Sequence, residues 1–244
     1  MKQYKKSLIG TALTAALLTT SLAASAIPLY SINITGTGAY AGLGITCADN
    51  AACDSDAMAK QMTLLPGNIL SPLPAIPGFN FSVHTSTNNV PGGPYFSLLD
   101  LNWTLSSTAS TGGTVTITAS ATDYTYPVAG ALAHLNGHIG GTNLNSSVTG
   151  QTWANNSNAL FGMGPVTAGV QGPFSAASFS NDATSAFIAA NPFSITEQLV
   201  LTVGAGGITT GDYMVKVVPE PGSLALIGLG LLAAAGALRR RQTR

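Results

Sequence analysis

Leu99-Asp100-Leu101-Asn102-Trp103-Thr104-Leu105, then Thr114-Val115-Thr116-Ile117-Thr118-Ala119-Ser120-Ala121, are the two stretches that decide the fold. In each, apolar and polar residues alternate with a period of two, which is the pattern of a half-buried strand. Thr111-Gly112-Gly113 between them reads as a tight turn, so the two strands are expected to pair antiparallel. After Asp123 the large residues Tyr124 and Tyr126 sit on the other phase, which predicts a bulge or a twist.

Working outward, Phe79, Phe81 and Val83 alternate with Asn80 and Ser82 as another strand. Upstream, Ile27, Leu29, Ile32 and Ile34 open a strand that runs into a glycine-rich turn region. Gly42-x-Gly44 lacks the strand–turn–helix context of a phosphate-binding loop, so nucleotide binding is set aside. Pro66, Pro72, Pro74 and Pro77 predict an irregular surface segment. Downstream, Asn136-Gly137 is a strong type I′ hairpin signal, which would put His134 and His138 on opposite faces. Residues 141–172, rich in Asn, Ser, Gly and Thr, read as short strands with long polar loops. Strands over Phe193–Val203 and Tyr213–Val217 are separated by a turn at Gly204–Gly207. Two short helices are expected. One spans Ala57–Leu65, capped by Asp54 or Asp56, and the other runs from Asn181 or Asp182 through Ala190. The fold class is therefore mainly β: a single antiparallel, jelly-roll-like β-sandwich with one or two short helices.

Two end segments flank this body. Met1 to Ala26 has Lys2, Lys5 and Lys6, then an apolar stretch, then small residues at Ala24 and Ala26. That is a signal peptide with cleavage before Ile27, handled by the export translocon and signal peptidase. At the other end stand Val218, Pro219, Glu220 and Pro221, then 17 uncharged residues from Gly222 to Leu238, then Arg239, Arg240 and Arg241. At about 1.5 Å per residue the run spans roughly 25 Å, near the thickness of a hydrocarbon core. It predicts a transmembrane helix over 222–238 with the arginines, and so the C-terminus, on the cytoplasmic side of the bacterial inner membrane. The domain division is thus 1–26, 27–217 and 218–244.

The order Pro-Glu-Pro, apolar run, arginine cluster resembles the PEP-CTERM sorting signal of exported bacterial proteins. The resemblance implies a temporary anchor read by an exosortase-type transpeptidase, and delivery to the cell surface or extracellular polysaccharide matrix. The tail also carries an ice-binding protein C-terminal label, which belongs to the tail and does not establish ice binding by the rest.

Between Ile27 and Val218 the only bases are Lys60 and Lys216, against eight acids, a net charge of −6. Such a body has no electrostatic means of gripping nucleic acid. Cys47 and Cys53, the only cysteines, are expected to form a disulfide in an exported chain. Asp49, Asp54 and Asp56 beside them are hard oxygen donors that could hold calcium, but they lack the glycine turn and distal glutamate of an EF-hand loop. No other cofactor is indicated.

Trp153, flanked by Gln151, Asn155 and Asn156, is the candidate carbohydrate site: a ring to stack on a sugar face with amides around it. The Thr114, Thr116, Thr118 row could support ice binding only if such a row were repeated across several parallel strands. His134 and His138 find no third metal ligand near in sequence. The serines lack a G-x-S-x-G elbow, and the acids are scattered without a recognisable catalytic pair. The expectation is a non-enzymatic exported protein, with a carbohydrate-binding module as the alternative and a hydrolase behind both.

Overall fold

Strict alternation over long stretches leaves one side of each strand apolar, and folding one sheet over on itself buries those sides together. The computed structural model describes residues 29–65, 79–88, 96–108 and 110–220, with Gly230 in addition. The predicted signal peptide, the proline segment and, Gly230 apart, the predicted transmembrane span lie outside these residues. Among the described residues no helix is long and apolar enough to cross a membrane.

The strands are β1 (Tyr30–Gly38), β2 (Gly44–Ala48), β3 (Gln61–Leu64), β4 (Phe79–Thr87), β5 (Ser97–Ser107), β6 (Gly113–Tyr124), β7 (Leu132–Asn155), β8 (Val166–Phe174), β9 (Ser178–Ile188) and β10 (Phe193–Pro219). All pair antiparallel in one sheet, curled into a half-barrel. The long strands β7 and β10 run side by side through the whole sheet. Both bend where Gly204–Gly207 stand opposite Asn145, between the pairs Val203↔Ser146 and Ile208↔Leu144. Asn145 adopts φ 49°, a left-handed value that asparagine tolerates, and its amide donates to the Ala205 carbonyl.

The bend divides the sheet into two leaves that share β7 and β10. Leaf one is β2-β1-β6, the first half of β10, the second half of β7, and β8. Leaf two is β3-β4-β5, the second half of β10, the first half of β7, and β9. Their apolar sides face each other. Ile32, Ile34, Ile117, Leu199 and Leu201 of leaf one and Phe81, Leu99, Leu101, Leu135 and Val215 of leaf two are fully buried in one core. Tyrosines bridge the leaves: Tyr30 Oη donates to Thr85, Tyr124 Oη to the Leu98 carbonyl, and Tyr213 Oη to Gln171. Glu197 occupies an inward position on β10 among these groups and is fully buried.

Several expectations are corrected. The Gly112-Gly113 turn does not pair its flanking strands, because β10 lies between β5 and β6 and bonds to both. Asn136-Gly137 is no hairpin, since β7 passes straight through it. Gly137 faces the other leaf, where an added Cβ would stand 3.1 Å from Gln171 and 3.4 Å from the Tyr213 hydroxyl. The glycine serves close approach there and makes no turn. His134 and His138 therefore share a face. Gly204–Gly207 is a bend inside one strand, and the loops expected over 141–172 are largely β7 and β8.

Both helices are replaced by strands. Asp54 and Asp56 each accept from the backbone N–H two residues on, an Asx turn in place of a helix cap, and β3 follows. Residues 178–188 lie along β7 as β9, where eleven ladder positions outweigh a weak local helix preference. The bulge before Tyr124 is present: Phe193 faces Tyr124 while Ile195 faces Ala121, and Asp123 has φ 61°. Cys47 and Cys53 form the disulfide, with Cα atoms 5.9 Å apart.

Candidate functional site

Because odd-numbered residues of β5, β9, β10 and the first half of β7 point into the core, their even-numbered residues form the outward face of leaf two. Register then brings distant residues into rows. One row is Asp182, His138, Met214, Asp100, Ser86, Gln61, and the next is Ser180, Gly140, Asp212, Asn102, His84, Thr63. All three histidines of the chain, Lys216, and the acids Asp100, Asp182 and Asp212 stand on this one face.

Two clefts open on it. The larger, about 570 Å³, has Ala183, Gly137 and Met214 as an apolar floor and His138, Asp182 and Lys216 among its rim. Asn136 and Thr184 complete that rim, with the Thr184 hydroxyl donating to the Asn136 amide oxygen. His138 Nδ1 meets Asp182 Oδ1 at 2.7 Å. The second cleft, about 320 Å³, lies over β4 and β5 between Thr63 and His84 on one side and Asn102 and Thr210 on the other. His84 Nδ1 and the Thr63 hydroxyl are 2.9 Å apart. Between the clefts, burial and then the neighbouring Asp212 carboxylate push Asp100 above the usual carboxylate range. The Asn102 amide, His84 and Lys216 pull it partly back. An apolar floor ringed by a few converging polar groups is the usual form of a small-ligand site. The His138–Asp182 pair could orient an imidazole for catalysis, yet among the described residues no nucleophile bonds its other ring nitrogen.

The predicted site residues fall elsewhere. Trp153 lies on leaf one between Thr196 of β10 and Thr167 of β8 and is only 8% exposed, so its ring offers no open face for a sugar. Gln151 donates to the Thr167 hydroxyl. Asn155 accepts from the Ser157 N–H and hydroxyl, and Asn156 ties Ile188 and Ala190. These amides fasten the loop after β7. Asp54 accepts the N–H groups of Asn50, Asp56 and Thr63, and Asp49 accepts that of Lys60. Both carboxylates thus brace the disulfide loop. Among the described residues no cluster of three or more metal-ligating side chains occurs.

The threonine row of β6 extends sideways as Thr37↔Thr114↔Thr202, but the next rows are broken by Val200 and Gln198, and the neighbouring strands run antiparallel. The leaf-two face went unnoticed in the sequence. Its two rows cross six strands, and only the register that joins β9, β7, β10, β5, β4 and β3 assembles them.

The sorting-motif residues close the last strand. Val218 faces His134, Pro219 faces Ala133, and the Glu220 N–H donates to the Leu132 carbonyl at 3.1 Å. Pro221, Arg239, Arg240 and Arg241 lie outside the described residues, as do Ala24, Ala26 and Ile27.

Comparison with solved structures gives only remote likenesses. The active domain of a bacteriophage CBA120 tailspike protein 4 is 14% identical over 59% of this chain and 19% of its own, with a TM-score of 0.27. Infectious bursal disease virus, Gx strain, is 13% identical over 78% and 52%, with a TM-score of 0.26. An isomalto-dextranase of Arthrobacter globiformis T6 is 11% identical over 76% and 30%, with a TM-score of 0.22. This chain spans between about a fifth and about half of those chains, and such scores carry no argument. No curated protein matches. The family description that matches is the PEP-CTERM protein-sorting motif, over residues 217–241, and it carries no ice-binding assignment. The β domain thus ends in a PEP-CTERM sorting motif, which marks an exported protein sorted by way of an exosortase toward the cell surface.

Proposed function

We propose that the β domain is a non-enzymatic component of the cell surface or extracellular polysaccharide matrix, carried there by its tail. The observation behind this reading is the sorting motif fused without a linker to the last strand of a single β domain. The acidic, lightly charged body fits a matrix role better than nucleic-acid or anionic-lipid binding. The test deletes Val218 to Arg244 and follows the protein in membrane, surface and matrix fractions. Accumulation in the periplasm or free medium is expected, and unchanged delivery to surface and matrix sinks the proposal.

The second reading is a carbohydrate-binding module for matrix polysaccharide, and the cleft on leaf two favours it. A carboxylate, an amide, a hydroxyl and an ammonium around an apolar floor suit the hydroxyls and the C–H face of a pyranose. Affinity electrophoresis of the exported protein in gels containing hydroxyethylcellulose, glycol chitin or polygalacturonate tests it. Retardation in one gel, relieved by Asp182→Ala, is expected. Equal mobility of parent and variant in all three removes the reading.

A further inference from the structure

The strand that ends the domain and the motif that addresses it are the same piece of backbone. The motif begins at residue 217, and residues 217–219 are still rungs of the β10–β7 ladder. Beyond the last rung the Glu220 N–H donates to Leu132, and the Glu220 carboxylate lies 3.4 Å from His134 Nε2. Glu220 carries the only charge between Lys216 and Arg239, so it is the one charged handle the motif offers a partner ahead of its arginine cluster. That handle is occupied. Among the described residues the ladder with β5 on the opposite edge stops at Val217↔Ser97, and the backbone pairing of Val218, Pro219 and Glu220 is with β7.

We infer that the folded domain clasps its own sorting motif against β7, through His134 and the Leu132 carbonyl, and that the exosortase must compete with this clasp for Glu220. An enzyme that takes the motif in extended form meets a strand whose hydrogen-bonding groups on the β7 side are spent and whose carboxylate is engaged. Recognition then requires the last three residues to peel from β7, a short local opening that leaves the β5 ladder intact. His134 is a positioning residue in this scheme, acting through Glu220. Both partners are about a third exposed, at 34% and 30%, so the contact is weak and releasing it changes the opening equilibrium by a small factor.

The inference rests on exosortase processing of the tail, and the experiment separates the two. The full chain, with an epitope placed after Arg244, is followed by pulse-chase in a host that carries an exosortase, and loss of the epitope measures processing. His134→Ala is expected to speed that loss about two- to fivefold, the range open to a partly exposed ion pair. Thr142→Ala changes an exposed position on the same strand, outside the clefts, and is expected to leave the rate unchanged. The double variant His134→Cys, Val218→Cys joins two directly opposed positions, and the cross-link is expected to stop processing until reductant is added. The parent chain with the same reductant is its control. Equal rates in the parent, His134→Ala and the oxidised double variant overturn the clasp while leaving exosortase sorting intact. A parent chain that never loses its epitope overturns both.

Discussion

The two leaves share β7 and β10, yet their outward faces carry different chemistry. On leaf one the outward groups are hydroxyls and amides that bond one another: Thr114 with Thr202 at 3.2 Å, Gln198 to Thr118 at 3.2 Å, Ser120 with Thr196 at 2.9 Å. The Phe161 N–H also donates to the Ser120 hydroxyl, and the Ser194 hydroxyl donates to the Ala159 carbonyl, so the loop after β7 is pinned onto this face. The outward face of leaf two carries Asp100, Asp182, Asp212, Lys216, every histidine, and the two clefts described above. Alternation decides only that a residue points outward. Whether its neighbours across the ladder consume its hydrogen-bonding capacity decides whether it stabilises the sheet or stays available to a ligand.

The comparison requires the leaves to be pressed together, and the strongest way to break it acts there. Gly150 of leaf one has no side chain where it meets leaf two; an added Cβ would stand 2.9 Å from Ile139 and 3.0 Å from Tyr213. Gly150→Leu overpacks this contact and is expected to cost about 3 kcal/mol, the upper end for inserted core volume. For a domain of this size that is a fall in Tm of roughly 6–12 °C, read by circular dichroism. A fall under about 2 °C, given the same principle, means the leaves are not in close contact.

A smaller effect, with a pH signature, comes from Glu197 between the leaves. Neither carboxyl oxygen has a hydrogen-bond partner, and burial, then Asp100 and Asp212, push its pKa well above the usual carboxylate value. The folded state therefore keeps the proton that the unfolded chain releases. The stability associated with this site is fully present below the unfolded pKa and is lost as pH rises toward the folded one. Glu197→Gln removes the ionisation and keeps the shape. It is expected to raise Tm by roughly 2–4 °C at pH 8, about 1 kcal/mol, and to change it little at pH 4. A gain of equal size at both values refutes the assignment of a neutral buried acid.

How much of this was legible in the sequence follows the same division. The strands of Leu99–Leu105 and Thr114–Ala121, the bulge at Asp123 and the Cys47–Cys53 bridge were readable because each is a local pattern with a local cause. The disposition of β10 was not. Gly204–Gly207 carries a turn composition, and only the partner strand β7, bending at Asn145, shows that the chain continues in the same direction. Asn136-Gly137 misled for a related reason: the glycine answers to Gln171 and Tyr213 on other strands. The polar neighbours of Trp153 make it a carbohydrate candidate in the sequence beside the ordinary alternative of a buried ring, and the ring is in fact covered while Asn155 and Asn156 bond the loop. The leaf-two cleft joins Asn136, Asp182 and Lys216 across three strands, and no window of sequence contains it.

The smallest expected effect is the most telling for function, because it is a difference between faces. Ser120→Ala on leaf one removes a buried hydroxyl that accepts from Phe161 and bonds Thr196, and it strands the Phe161 N–H. It is expected to cost about 1–2 kcal/mol. His138→Ala on leaf two removes a larger side chain, but one that is 38% exposed and paired with an Asp182 side chain that is 84% exposed. Water replaces both partners without leaving a buried group unsatisfied, so the expected cost is under about 0.5 kcal/mol. Urea midpoints measured for the two variants at one pH give the comparison directly. If His138→Ala costs as much as Ser120→Ala, the leaf-two face is held as tightly as leaf one, and its histidines and acids exist to stabilise the sheet. If the costs differ as expected, the exposed ionisable groups of leaf two are kept without contributing to the stability of the sheet, which leaves solubility and ligand binding as the uses that binding assays then separate.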